Sequence, residues 1–282
     1  MSVLVFGKTG QLATALQQGD AAGDITALGR DSADLSDPPA CAAQIQARRP
    51  SLVINAAAFT AVDGAESQAG QAHVINADAP AAMAAACADL GIPFVHISTD
   101  YVFDGSGDTA WQPADATGPL NVYGHTKLAG EMAVRSVGGP HAILRTSWVF
   151  SAQGSNFLKT MLRVSETRDH LSVVKDQIGG PTPAHALAQA ALTVGAALRD
   201  GHPSGTWHCA GAPFTSWHGF ATAIFAAADR NVAVTGIPTA DWPTPARRPL
   251  NSRLDCSSLR ADFDLPAADW SAAVTDIVKE LT

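Results

Sequence analysis

Val3-Leu4-Val5-Phe6-Gly7-Lys8-Thr9-Gly10-Gln11-Leu12-Ala13 is an apolar run that breaks into a glycine turn and then into helically spaced residues. Four consecutive apolar residues suit a strand buried on both faces. The turn that follows reads Gly-x2-Gly-x2-Ala. Gly7 permits a tight reversal, Gly10 lets a diphosphate approach the backbone, and the small Ala13 lets the helix pack close to the strand. The start of that helix offers unpaired N–H groups to an anion. A turn of this kind also occurs with no ligand, so its weight comes from its context between strand and helix. Gly7, Thr9, Gly10, Gln11 and Leu12 are the contacts this reading assigns to a dinucleotide cofactor.

Outward from this stretch, short apolar runs alternate with Ala-rich helical stretches. Strands are expected at 3–6, 25–28, 52–55, 94–98 and 141–145, with helices at 11–18, 41–49, 72–90 and 122–137. Such alternation predicts right-handed crossovers and a parallel sheet covered on both faces, a doubly wound α/β (Rossmann) fold. Beyond Trp148 prolines accumulate and the pattern loosens; helices at 184–199 and 217–229 and a strand at 207–210 stay legible. The expected organisation is a dinucleotide-binding domain over 1–150, with 184–211 returning to it. A smaller, partly interleaved substrate lobe is expected from 151–183 and 212–282. It would lie over the carboxyl ends of the strands, where open α/β sheets bind ligands.

The second strand ends in Ala27-Leu28-Gly29-Arg30, with no carboxylate before Asp31. An acid there would bind a ribose 2′-hydroxyl, whereas an arginine accommodates a 2′-phosphate. Arg30 therefore favours NADPH, with NADH as the alternative and a plain surface arginine as the competing reading. Asp34 and Leu35 would lie near the adenine. Asn55-Ala56-Ala57-Ala58 ends the next strand with small side chains against which a cofactor can lie flat, and Thr60 follows on the site floor with Asp63, unless Asp63 is a turn or helix cap.

Tyr123-Gly124-His125-Thr126-Lys127 places a phenol and an ammonium one helical turn apart, on one face. A nearby cation would lower the phenol from its ordinary pKa of about 10 and make it a proton donor to a reacting carbonyl. Alone the spacing is weak, since many such pairs merely face solvent.

The 282 residues are 46% hydrophobic and 16% charged, which fits a compact soluble chain with a core of ordinary size. A net charge of −8 argues against non-specific nucleic-acid binding. No stretch approaches the apolar length of a membrane span, and no basic segment precedes the first strand as in a signal peptide. The four cysteines are far apart and read as reduced thiols of a cytoplasmic protein; the nine histidines show no metal-ligand spacing.

Taken together, the glycine turn, Asn55-Ala56-Ala57-Ala58, Ser98-Thr99-Asp100-Tyr101-Val102-Phe103 and Tyr123-x3-Lys127 resemble the extended short-chain dehydrogenase/reductases. Pro119-Leu120-Asn121-Val122-Tyr123-Gly124, Arg145-Thr146-Ser147-Trp148-Val149-Phe150 and Arg248-Pro249-Leu250-Asn251-Ser252-Arg253-Leu254 narrow the resemblance to the dTDP-4-dehydrorhamnose reductase family. The resemblance implies NADPH-dependent reduction of a nucleotide-sugar C4 ketone. Tyr123 would be the general acid, Lys127 would hold the nicotinamide ribose and depress the Tyr123 pKa, and Thr99 would donate to the same oxygen. Thr99, Asp100, Tyr101, Trp148 and Arg248 would contact substrate: Trp148 as a plate for the deoxysugar, Arg248 (or Arg247) for the diphosphate. Related dehydratases carry Thr-Asp-Glu; here the triplet is Thr99-Asp100-Tyr101, which favours reduction. An epimerase or reductase of another nucleotide sugar stays open, as does a non-catalytic NADP-binding regulatory subunit. Some family members use a glutamate in the first helix for a metal at a dimer contact. Ala15 stands there, and Pro183-Ala184-His185 where a second acid is expected, leaving no metal and a monomer or another homodimer.

Overall fold

The structure, a computed structural model, describes residues 2–281. Its first half runs β1 (Val3–Phe6), α1 (Gln11–Gln18), β2 (Ile25–Leu28), α2 (Pro38–Arg48), β3 (Leu52–Asn55), α3 (Val62–Ser67), α4 (Ala69–His73), a π segment (Val74–Asp78), α5 (Ala79–Leu90), β4 (Phe94–Thr99), α6 (Val122–Val137) and β5 (His141–Thr146). The second half runs β6 (Val149–Phe150), α7 (Phe157–Val164), β7 (His170–Val174), β8 (Ile178–Gly179), β9 (Thr182–Pro183), α8 (Ala184–Arg199), β10 (Gly205–His208), β11 (Thr215–Ser216), α9 (Trp217–Ala227), β12 (Ala233–Ile237), β13 (Asn251–Ser252), α10 (Ser257–Phe263) and α11 (Trp270–Leu281).

Six parallel strands form the central sheet in the order β10-β5-β4-β3-β1-β2. The order reverses between β1 and β3, the switch point where doubly wound sheets open a crevice at their carboxyl ends. Val3, Val5, Leu52, Ile54, Val95 and Leu144 pack on one face against α1, α8 and Leu259 of α10. Leu4, Phe6, Val53, Phe94 and Ile143 pack on the other against α2 and α5. Because each strand is buried on both faces, β1 and β3 read as unbroken apolar runs.

Elsewhere Phe150, Leu158, Phe220, Phe225, Trp270 and Val274 gather α7, α9 and α11 into a third core beside the two-stranded β7–β12 ribbon.

Several expected elements differ. The second helix starts at Pro38, not 41, because the Asp37 carboxylate accepts the Ala40 N–H at 3.1 Å and caps it. The single helix expected over 72–90 instead begins at Ala69 and widens into the π segment. There the buried Asn76 side chain accepts from Phe59 N at 2.8 Å and donates to Phe59 O at 3.1 Å and Thr126 Oγ1 at 3.0 Å. Helices α7, α10 and α11 lie where the proline-rich sequence looked irregular.

Candidate active site

A cavity of about 1270 Å³ opens over the carboxyl ends of the strands at the switch point. It is lined from one end by the β1–α1 turn, then by Arg30, Asp34 and Leu35 after β2, by Ala56, Ala57, Ala58 and Thr60 after β3, and at the far end by Thr99, Asp100, Tyr101, Tyr123, Lys127, Trp148 and Trp217. Gly7, Thr9, Gly10, Gln11 and Leu12 all border it. The residues assigned to cofactor or substrate from sequence therefore line this one cavity, apart from Asp63, Arg247 and Arg248.

The turn suits an anion. Gly7 has φ +111°, a backbone conformation that a side chain would strain, and a Cβ there would just touch the Ala56 backbone at 3.4 Å. In front of Gly10 the space is open to 4 Å, and Gly10 caps α1 with no side-chain hydrogen bond, so the first N–H groups of the helix stay free. Exposed Arg30 stands beside the Asp34 carboxylate. That carboxylate is held below its usual range mainly by the Ser36 backbone N–H, with the Arg30 charge adding to the effect.

At the far end, α6 starts at Asn121, whose Oδ1 accepts Gly124 N at 2.8 Å while its Nδ2 donates to Arg247 O at 2.7 Å. A Cβ at Gly124 would run into the Tyr101 carbonyl, so a glycine lets α6 press on the residues after β4. This contact sets Tyr123 and Tyr101 edge to face, with ring centroids 5.5 Å apart. Thr99 Oγ1 donates to Asp100 Oδ1 at 3.0 Å and accepts from Tyr101 N at 3.2 Å. The hydroxyl expected to reach a substrate oxygen thus gives its proton to Asp100 here. Asp100 is buried and its second oxygen has no hydrogen-bond partner. Burial pushes its carboxyl up to about 6 against the opposing bonds from Ser252 and Thr99.

Two expectations about charge need correction. Lys127 does not depress the Tyr123 pKa in this structure: burial, with Asp100 adding, pushes the phenol up to about 12 despite the Thr99 hydroxyl. The Lys127 ammonium instead donates to Ile97 O at 2.6 Å, and burial brings it down to about 8 against the pull of Glu131. Nor is Arg248 a free fork for a diphosphate. Its guanidinium grips Asp63 with Nη1 at 3.0 Å and Nη2 at 2.8 Å, and Nη1 also donates to Thr244 Oγ1 and Ala246 O. Asp63 is accordingly this arginine's partner rather than part of the cavity wall, and its carboxyl is held low chiefly by that bond. Arg247 is exposed.

Trp148 lines the cavity at φ +49°, but it does not stand alone. It stacks on Trp217 with centroids 3.7 Å apart and planes 15° off parallel, and Trp217 Nε1 donates to Gln177 Oε1 at 3.2 Å. The plate is a tryptophan pair. Trp217 was missed from sequence; its only signal is an aromatic directly after the Ser216 cap of α9, whose Oγ accepts Gly219 N at 3.0 Å. Lys8, Ser98, Thr146, Ser147 and Leu187 also border the cavity and were not anticipated. Ala15 lies half-buried on the α1 face that packs in the sheet core, and His185 is exposed. Among the described residues, no group of three or more His, Cys, Asp or Glu is placed to hold a metal ion, and no helix is long and apolar enough to cross a membrane.

Comparison with known proteins identifies the family. The family model described as the RmlD substrate binding domain covers residues 1–282. The dTDP-4-dehydrorhamnose reductase of Shigella flexneri is 43% identical over 293 residues, spanning 100% of this chain and 98% of that protein. Among solved structures, a dTDP-4-dehydrorhamnose reductase of Clostridium acetobutylicum superposes with a TM-score of 0.94 at 35% identity, covering 100% of this chain and 99% of that one. The Bacillus anthracis dTDP-4-dehydrorhamnose reductase, in complex with NADP, does so at 0.91 and 33% identity, with the same coverage. A glycine turn, a Tyr–Lys helix and full-length similarity thus converge, and the chain belongs to the RmlD family, that of the dTDP-4-dehydrorhamnose reductases.

Proposed function

We infer that this chain is an NADPH-dependent reductase that converts the C4 ketone of dTDP-4-dehydro-β-L-rhamnose to the alcohol of dTDP-L-rhamnose. The observation that carries the reading is one continuous cavity that joins an uncapped helix start to a cluster of buried Thr99 and Lys127 with half-buried Tyr123. The open space at Gly10 and the bare strand end at Ala56–Ala58 fit a dinucleotide. When bound, the reduced nicotinamide supplies a hydride to the ketone carbon.

The residues of the chain do the rest. The turn at 7–12 binds the diphosphate, Arg30 the 2′-phosphate, and Asp34 and Leu35 flank the adenine. Tyr123, whose raised pKa keeps its proton in place at neutral pH, donates that proton to the oxygen that gains charge. Thr99 and Lys127 steady the same oxygen and the ribose. Trp148 and Trp217 offer an apolar face to a 6-deoxy ring, and Asp100 and Tyr101 border its hydroxyls. Arg248, tied to Asp63, braces the substrate side of the cavity rather than acting as a free clamp. The same reading assigns the sheet domain to cofactor and the α7–α9–α11 unit to substrate. It has the enzyme work in the cytoplasm as a monomer or homodimer; its four free thiols suit a reducing compartment.

The test is oxidation of NADPH by the purified protein, followed at 340 nm, with dTDP-4-dehydro-β-L-rhamnose made in situ from dTDP-glucose. Turnover with formation of dTDP-rhamnose supports the reading. Tight NADPH binding with no oxidation would redirect it to another nucleotide sugar or to a regulatory subunit.

A further inference from the structure

His96 lies on β4, fully buried, and reaches Lys127 without itself lining the cavity. Its ring joins a short chain of polar groups whose proton positions the geometry settles. Asn55 Oδ1 accepts the Ala57 backbone N–H at 3.2 Å. Turning that amide round would set two donors against each other, so Asn55 Nδ2 is the atom that faces His96 Nδ1, at 3.2 Å. An amide N–H must donate, so Nδ1 accepts and the single proton of the neutral ring sits on Nε2. That nitrogen lies 3.3 Å from Lys127 Nζ, which in turn donates to Ile97 O.

An imidazole N–H aimed at a lysine nitrogen forms a hydrogen bond only when that nitrogen has a lone pair. Facing an ammonium, it is donor against donor. His96 cannot relieve this by taking up a second proton: it is buried, and the nearby positive charges of Lys127 and Arg135 also oppose its ionisation. Other neighbours act on the amine from α6, β5 and the residues after β4. Glu131, one turn further along α6, favours the ammonium, but its charge is shared with Arg145 from β5 and Arg135 on α6. Tyr123 lies a turn earlier on α6 and Asp100 follows β4; of the π segment, Asn76 is uncharged and bonds Thr126, and Asp78 stands at the surface beside His73.

We propose that His96 is a positioning residue for Lys127: with its proton held on Nε2 by Asn55, it locks the amine against the Ile97 carbonyl and favours the neutral amine over the ammonium. Lys127 then changes charge close to working pH instead of remaining a permanent cation. The consequence for turnover rests on Lys127 being the catalytic lysine proposed above; the effect on its titration does not.

The experiment therefore reads the unloaded protein first. Nitrogen-15 histidine and carbon-13 ε-labelled lysine NMR spectra would be recorded across pH for the parent, His96→Phe and His96→Gln. Expected are the Nε2–H tautomer for His96 and a Lys127 midpoint near 8. The midpoint should rise about tenfold in proton affinity or more in His96→Phe and stay near the parent in His96→Gln, whose amide nitrogen donates from the same place. The alkaline limb of kcat should move with the midpoint. An Nδ1–H tautomer in the parent, or a Lys127 midpoint unmoved by His96→Phe, would overturn the proposal. If His96→Phe does not fold, an Nδ1–H tautomer in the parent or a His96→Gln midpoint above the parent's still overturns it. A chain with the expected titrations that turns over no nucleotide sugar would keep this inference and sink the functional one.

Discussion

Replacing Glu131 by Gln removes one negative charge from the interior while keeping its shape. Glu131 is fully buried on α6 and accepts from Arg145 Nε at 2.9 Å, Arg145 Nη2 at 2.7 Å and Arg135 Nη2 at 2.7 Å. Arg145 is itself buried, stacked 5.0 Å over the Phe103 ring, with its remaining bond to Pro113 O at 3.2 Å. Without the carboxylate it is an uncompensated buried cation, and loss of one partner of such a pair costs about 3–5 kcal/mol. Against a total of about 5–15 kcal/mol this is a large fraction. With a urea slope of about 3 kcal/mol/M, the midpoint should fall by roughly 1 M or more. In an Arg145→Leu background the same Glu131→Gln change should cost far less, because the stranded cation is gone. The pH dependence has a definite sign. Burial is the largest influence on Glu131 and would raise its pKa, but the Arg145 bond and charge, with Arg135, outweigh it and hold the carboxyl below its usual value. A depressed acid stabilises the fold above its unfolded pKa of about 4.3 and loses that contribution as pH falls through the lower folded value, so the gap between parent and variant should close below about pH 4. A loss under about 1 kcal/mol at pH 7, or equal costs in both backgrounds, would refute the reasoning.

Tyr123→Phe should lower kcat by about 10²–10⁴-fold and leave NADPH affinity unchanged by fluorescence titration; retained turnover would remove Tyr123 as the acid. Arg30→Ala should weaken NADPH far more than NADH, and an equal loss for both would show that Arg30 does not read a 2′-phosphate. Asp100 is the reverse of Glu131: its pKa is raised to about 6 from burial, so it favours the fold below its unfolded value near 3.9 and that advantage is lost as pH rises through about 6. Asp100→Asn should therefore gain stability on the parent by about 2 kcal/mol between pH 4 and pH 7 in urea titrations, and a pH-independent difference would contradict the burial argument.

Local rules made much of the fold and half of the site legible. Helix pitch alone places Tyr123 and Lys127 on one face, and β1, α1, β2 and α6 fall where the apolar spacing set them, because a strand buried on both sides or an amphipathic helix declares itself within a few residues. The glycine turn was readable for the same reason: tight reversal and a free helix start are properties of seven consecutive residues. What sequence left undecided is every choice of partner made across the chain. Arg248 has Asp63 for a neighbour only because the fold joins positions 185 residues apart, and that pairing occupies its guanidinium fork. Trp148 has Trp217, and Lys127 has Ile97 O and His96 in place of an exposed position from which to act on Tyr123. Helices α7 and α11 were missed because each is held in a core built with Phe220 and the rest of α9, partners roughly fifty residues away along the chain that their own stretches do not announce. Spacing along the chain decides which side chains share a face; only the tertiary structure brings distant faces together, and burial at that meeting decides which charges are paired, shifted or left free.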